Sequence, residues 1–159
     1  MTNAYFGSHD LEALLDGVLA SRQIVDLRGQ VADLDRLTHL FYQGTAVADL
    51  KHWDPVDIVG AVISAWSLAQ RHRPKSSVVR TFTPTVAGDG WTCEHTVVEI
   101  VTDDMPFIID SVVAALNGAG RTLNLVIHPV LRVTRAADGA ITAVQPQFGN
   151  GANREDSDD

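Results

Sequence analysis

A chain of 159 residues, 45% hydrophobic and 20% charged, is long enough to bury a core and ordinary for a globular fold. Its 20 acidic residues against 12 basic ones leave a net charge of -8, which argues against a generic phosphate-backbone binder, since that function needs a basic face. No apolar run reaches membrane-spanning length, the N-terminus lacks the regions of a secretory signal, and the single Cys93 cannot form an internal disulfide. A reducing, cytoplasmic setting is therefore expected, with neither nucleic acid nor membrane as partner.

Residues 1–53 read as a helical segment. Leu11, Leu14, Leu15, Val18 and Leu19 recur at helical spacing behind Ser8, a residue suited to an N-cap. A second helix carries Val31, Leu34, Leu37 and Phe41 on one side, with Gly44 to stop it. Such stripes are the marks of a core or a partner interface.

The next helix spans 54–73. Asp54 suits the cap, Pro55 the first turn, and Asp57 the positive end of the helix dipole. Val59, Val62, Ile63 and Trp66 form its buried face, Arg71, His72 and Arg73 stand at the negative end, and Pro74 stops it.

From residue 76 to 147 the pattern is strand, strand, helix, strand, strand. Ser77–Val86 is rich in β-formers, the stretch from Ala87 to Gly90 is a turn, and Glu94–Thr102 is apolar on both faces, as a central, doubly covered strand would be. Pro106 to Ala119 is a helix with Ile109, Val112, Val113 and Leu116 inward and Gly118 and Gly120 at its end. Leu123 to Thr134 alternates, with Leu123, Leu125, Ile127, Leu131 and Val133 on one face. Asp138-Gly139 marks a hairpin turn into a strand from Ala140 to Gln145. The remainder, 148–159, is polar and acidic and reads as a disordered tail or linker.

Counted from the helix at 54–73, the order is α-β-β-α-β-β, a circular permutation of the ferredoxin-like β-α-β-β-α-β. The expected fold is therefore α+β: a ferredoxin-like two-layer sandwich over 54–147, preceded by the helical segment. Its four-stranded antiparallel sheet would run 77–86, 94–102, 140–145, 122–134, with the helices 54–73 and 106–119 on one face. Pro84 and Pro129 then fall on outer strands, where a missing N–H is tolerated.

At the junction from the apolar strand into the second helix stands TDDMPFIIDS, residues 102–111. Asp103 or Asp104 can cap the helix, Pro106 pre-sets its first turn, and Met105 and Phe107 can cover the gap between strand and helix. Capping needs one acid, however, and Asp110 and Ser111 add polar groups within the next turn. The stretch is thus both a helix start and a candidate ligand loop, in which Asp110 would attract an amino group and Ser111 offer a hydroxyl.

The phrase VVEIVTDDMPFIIDSV, followed by LNLVIHPVLRVTR, resembles the N-terminal region of the large NAD-specific glutamate dehydrogenases, as do SAWSLAQRHRP, VRTFTPT and GDGW. The resemblance covers about residues 40–140. It implies an ACT-like module, the first of several before the catalytic part, that is, a ferredoxin-like unit that binds amino acids or mediates subunit contacts. ACT modules of the amino-acid-binding kind often carry Asp, a basic residue and Pro-Gly at this junction. Here Asp104, Met105, Pro106 and Phe107 stand there. Glycine lets a ligand approach the backbone, and Phe107 in its place favours a structural role.

No G-x-G-x-x-G follows a strand, and no P-loop accompanies Lys75 and Ser76, so this chain is expected to hold no cofactor and to be non-catalytic by itself. NAD would belong to the full-length enzyme that the resemblance implies. His95 and His128 lie on strands that are not neighbours, and Cys93 beside Glu94 and His95 lacks an evident activating pair, so neither a metal site nor a thiol nucleophile is expected. Two functions remain: a regulatory or assembly module of a glutamate dehydrogenase, or a free-standing amino-acid-binding domain. The first would pair strand 122–134 with another module, through Leu125, Ile127, His128 and Pro129, and its partners would be the rest of the dehydrogenase chain and other subunits. The second would use Asp103, Asp104, Met105, Phe107, Asp110 and Ser111 to hold an amino-acid effector.

Overall fold

The computed structural model describes residues 6–145. Helix α1 spans Phe6–Leu19 and buries Leu11, Leu15, Val18 and Leu19, with Leu14 half-buried beside them. The stripe is as the periodicity predicts, but the helix begins at Phe6, so Ser8 lies inside it and is not its cap. A 3-10 turn at Arg22–Leu27 follows, opened by Ser21, whose hydroxyl accepts from the Gln23 amide at 3.2 Å. Helix α2, Leu34–Phe41, buries Leu34 and Leu37; Val31 is buried just ahead of it, and Gly44, at φ +82, turns the chain after it. A single turn, α3 at Val47–Leu50, leads to α4, Pro55–Arg71.

Helix α4 is the centre of the molecule. Ile58, Val59 and Val62 are fully buried, worth about 1.5–3 kcal/mol each, and join Leu11, Leu15, Ile24, Leu34, Tyr42 and Leu50 in one core. The core therefore crosses residue 54 and ties the N-terminal helices to α4. Tyr42 fastens this joint: its hydroxyl donates to the Ile58 carbonyl at 2.7 Å, and burial, with Asp57 nearby, pushes its phenol far above its ordinary pKa. Asp54 occupies the cap position, yet its side chain makes no capping bond; its carbonyl receives the Asp57 and Ile58 amides. Of the expected face Val59 and Val62 are buried and Ile63 and Trp66 half-buried; Gly60, Ser64 and Leu68 are buried as well, because α4 packs on helices along one side and on strands along the other.

Strands β1 (Ser77–Phe82) and β2 (Val97–Thr102) form an antiparallel ladder, Ser77 opposite Thr102 and Phe82 opposite Val97. Both are shorter than predicted. Thr85 caps a short helix, α5 (Val86–Asp89), in place of the expected turn, and Gly90 ends it at φ +78. Helix α6 spans Ile108–Gly118, and β3 (Val133–Arg135) pairs with β4 (Ile141–Val144) in an antiparallel hairpin, bulged after Thr134. The Asp138-Gly139 turn is there as predicted, with Asp138 accepting from the Ala140 amide at 3.0 Å and Gly139 at φ +89.

The α+β content is as expected, but the strands form two separate two-stranded sheets, not one four-stranded sheet. Among the described residues β2 pairs only with β1, and its outward Val98 and Ile100 are 40% and 38% exposed, so it is not a doubly covered central strand. Among the described residues α4 is the element that packs broadly on the β1–β2 ribbon, and α6 has no buried residue and shares no broad interface with another element. The reason is width. Two strands about 4.8 Å apart offer a face that one helix, about 10 Å across, already fills. Pro84 is buried beyond the end of β1, and Pro129 lies in a segment that joins no ladder.

Candidate functional site

The acidic corner closes the β1–β2 ribbon at its base. Asp103, half-buried at the end of β2, accepts from the Lys75 amide through Oδ2 at 2.6 Å, and its Oδ1 lies 3.6 Å from His72 Nε2. Lys75 takes a left-handed φ of +63, and the Asp103 bond holds that turn between α4 and β1. Neither Asp103 nor Asp104 caps α6. The cap position belongs to Phe107, at φ +64 and ψ +12, whose side chain cannot cap and whose carbonyl receives the Ser111 amide at 2.9 Å. Helix α6 thus starts at Ile108, after Pro106. Phe107 does adopt the backbone conformation in which glycine is at ease, and the residue is 75% exposed.

The six residues predicted to hold a ligand therefore divide. Asp103 is engaged in the turn, whereas Asp104, Met105, Phe107, Asp110 and Ser111 all face solvent. The four predicted interface residues lie together on an extended segment: Leu125 and Ile127 pack against the core, Pro129 is half-buried and His128 is exposed. From Leu123 to Val133 the half-buried and exposed positions alternate as the sequence predicts, but β3 begins only at Val133. Among the described residues no backbone hydrogen bond joins 123–129 to a ladder.

A second polar cluster holds the hairpin to the end of α4. His72 is 4% exposed; its Nε2 lies 3.0 Å from the Ser76 carbonyl and its Nδ1 3.3 Å from an Arg135 nitrogen. The tautomer that satisfies both carries its proton on Nε2 and accepts at Nδ1. Arg135 also donates to the Ala69 and Gly139 carbonyls, at 3.1 and 2.8 Å, placing a cation at the negative end of α4. The Ile141 amide donates to Gln70 Oε1 at 2.8 Å. Sequence reading placed His72 at the helix end without seeing that it is buried, because Arg135, which lies against its Nδ1, is 63 residues away.

A third cluster was not anticipated. Arg80, on the α4 side of β1, donates to Asp89 Oδ1 at 2.7 Å and to Ser64 Oγ at 3.3 Å, and stands opposite the buried Glu99 in the ladder. The Thr85 amide, above all, and then Arg80 hold the Asp89 carboxyl below its ordinary range. Burial pushes Glu99 up, against a hydrogen bond from Ser64 and the charge of Arg80. Its signal was the alternation of β1, which puts Arg80 on the face between Val78 and Phe82.

Among the described residues no group of three His, Cys, Asp or Glu side chains could hold a metal ion, and no helix is long and apolar enough to cross a membrane. Cys93 is half-buried and free, and His95 and His128 are exposed.

The sequence profile described as "Glutamate dehydrogenase, ACT1 domain" matches residues 37–158. The chain belongs to that family. The chain is 34% identical, over 108 residues, to an NAD-specific glutamate dehydrogenase of Halomonas elongata, a match covering 68% of this chain and 7% of the relative. It is 36% identical over 95 residues, 60% of this chain and 6% of the relative, to an NAD-specific glutamate dehydrogenase of Pseudomonas aeruginosa. The chain thus spans less than a tenth of the length of these curated relatives. No solved structure matches it. The acidic corner, the alternating segment and the Arg80 cluster all lie inside the span of the ACT1 match.

Proposed function

We propose that this ACT1 domain is a non-catalytic regulatory and assembly module of a large NAD-dependent glutamate dehydrogenase in the cytoplasm. The complete enzyme would convert L-glutamate to 2-oxoglutarate and ammonia, with NAD bound by other parts of the chain. Family membership and the names of the relatives support the enzyme. The observation that carries the assembly role is the segment 123–129. It alternates like a strand and packs Leu125 and Ile127 on the core, yet among the described residues its backbone joins no ladder. Unladdered strand-like backbone is a template for strand addition. In this reading residues 54–147 form the module, and its segment 123–129 pairs with a strand of a neighbouring module.

Hydrogen exchange tests this. The amides of 123–128 exchange fast in the isolated chain and slow by at least tenfold on mixing with the remainder of an NAD-specific glutamate dehydrogenase. Unchanged exchange, with the two parts shown to be associated, would rule out strand addition here. Glutamate turnover by this chain alone would rule out the non-catalytic role.

A further inference from the structure

The β1–β2 ribbon carries its charges on the inside. Alternation turns Val78, Arg80 and Phe82 of β1 inward, opposite Val101, Glu99 and Val97 of β2. The outward face is built of rungs: Ser77 opposite Thr102, Val79 opposite Ile100 and Thr81 opposite Val98. One step past the ladder Thr83 stands beside Thr96, their hydroxyls 3.2 Å apart. None of these outward residues is charged, in a chain that is 20% charged. A sheet with one face in water ordinarily shows the reverse, apolar side chains inside and polar ones outside.

The face has an apolar centre and two polar ends. Val79 is 60% exposed, Val98 and Ile100 beside it are exposed too, and no described element packs broadly over them. At one end Ser77 Oγ donates to Thr102 Oγ1 at 2.9 Å, and at the other Thr83 and Thr96 pair in the same way. Each pair spends one O–H internally and keeps the other. Except for Ser77, every residue of the face is β-branched, so its side chains are short and stiff. An apolar centre inside a polar rim is the anatomy of a contact surface.

We propose that this face docks a second copy of the chain, the outward faces of two ribbons stacking sheet on sheet about a two-fold axis. Such a contact must be self-complementary. Turned end for end, the face sets one hydroxyl rung over the other and its apolar centre over itself, and flat β-branched surfaces suit stacking of sheets about 10 Å apart. A charged partner finds no counter-charge here. Two chains of net charge -8 repel one another, and a face that carries no charge is where they can meet. About 20 Å long and about 10 Å wide, the face falls well short of the ~800 Å² that each partner of a standard interface buries, so contact between free chains is weak and reversible. It engages the ribbon's side chains and not the backbone of 123–129, so it stands or falls apart from strand addition.

The test is sedimentation equilibrium of the 159-residue chain from about 10 µM to about 1 mM, at about 50 and about 500 mM NaCl. The expected result is a reversible monomer–dimer equilibrium with a Kd of about 0.1–1 mM, tighter in the higher salt, because salt screens the repulsion and leaves an uncharged contact intact. In ¹³C-methyl spectra Val79, Val98 and Ile100 shift with concentration, while exchange of the 123–128 amides does not change. Val79→Lys brings two like charges into the contact and weakens dimerisation at least tenfold. Val126→Lys, at an exposed position of the extended segment, leaves it unchanged. Should Val79→Lys disturb the fold, Thr81→Lys on the neighbouring rung has the same effect. Overturning results are a monomer throughout in both salts, a dimer that Val79→Lys or Thr81→Lys leaves intact, or a dimer that slows the 123–128 amides and leaves those methyls unmoved.

Discussion

The Lys75 amide donates to Asp103 Oδ2 at 2.6 Å, across the base of the β1–β2 ribbon. The bond joins the turn before β1 to the residue after β2, and holds Lys75 at φ +63, a conformation costing a non-glycine residue about 1–2 kcal/mol. Removing the acceptor leaves the turn strained and unheld. Asp103→Ala is expected to destabilise the domain by about 1–2 kcal/mol, and Asp103→Asn, whose amide oxygen can still accept, by less. Urea unfolding midpoints of the two variants check this; equal losses, or none, would show that the bond does not secure the ribbon.

Phe107 is the reverse case, a strained residue with nothing visible to justify it within the described chain. Its φ is +64 and the residue is 75% exposed. Phe107→Gly relieves the backbone, partly offset by the entropy glycine adds to the unfolded chain, for a net gain of about 0.5–1 kcal/mol. Phe107→Ala removes the ring and keeps the strain, so it gains nothing. A thermal melt that ranks glycine above phenylalanine and alanine confirms the strain; equal melting points for glycine and alanine contradict it.

What the sequence made legible follows a physical line. Helix α4 begins with Asp54-Pro55 and ends just before Pro74, and chain-local signals of that kind are readable within a few residues. So is the Asp138-Gly139 turn, and so is the alternation of 123–133, because a half-buried extended segment has a period of two wherever it lies. Alternation reports which side chains meet the core; it says nothing of what the backbone pairs with. The four-stranded sheet failed at that point. The Phe107 cap was missed because the aspartates before it are better caps by type, and the Arg80–Asp89 pair because it needs α5, four residues closed by Thr85 and Gly90 in what read as a turn.

Two glycines inside helices are expected to respond in opposite directions to alanine. A Cβ on Gly17 in α1 would meet nothing within 4 Å, so Gly17→Ala stabilises by up to about 1 kcal/mol through helix propensity. A Cβ on Gly60 would come within 2.4 Å of the Trp91 Cβ, the close approach that lets α4 lie on the ribbon. There the clash outweighs propensity, and Gly60→Ala costs about 1–3 kcal/mol. Denaturant titration of both variants gives the two signs; a stabilising Gly60→Ala would mean that Trp91 moves aside freely.

The buried Glu99 sets a pH dependence whose sign is opposite to that of a paired surface acid. Burial raises its folded pKa above the unfolded value, so the folded chain keeps the proton longer. Its contribution is fully favourable below the unfolded pKa and is lost as pH rises through the folded one. Glu99→Gln removes that loss while keeping size and hydrogen bonding to Ser64. The variant is therefore expected to gain stability relative to the native chain as pH rises from about 4 to 8, and to lose that advantage at the acid end. Urea unfolding of both proteins across this range reads out the difference. A gap independent of pH would show that Glu99 is ionised as easily in the folded chain as in the unfolded one, and one that widens toward acid would reverse its role.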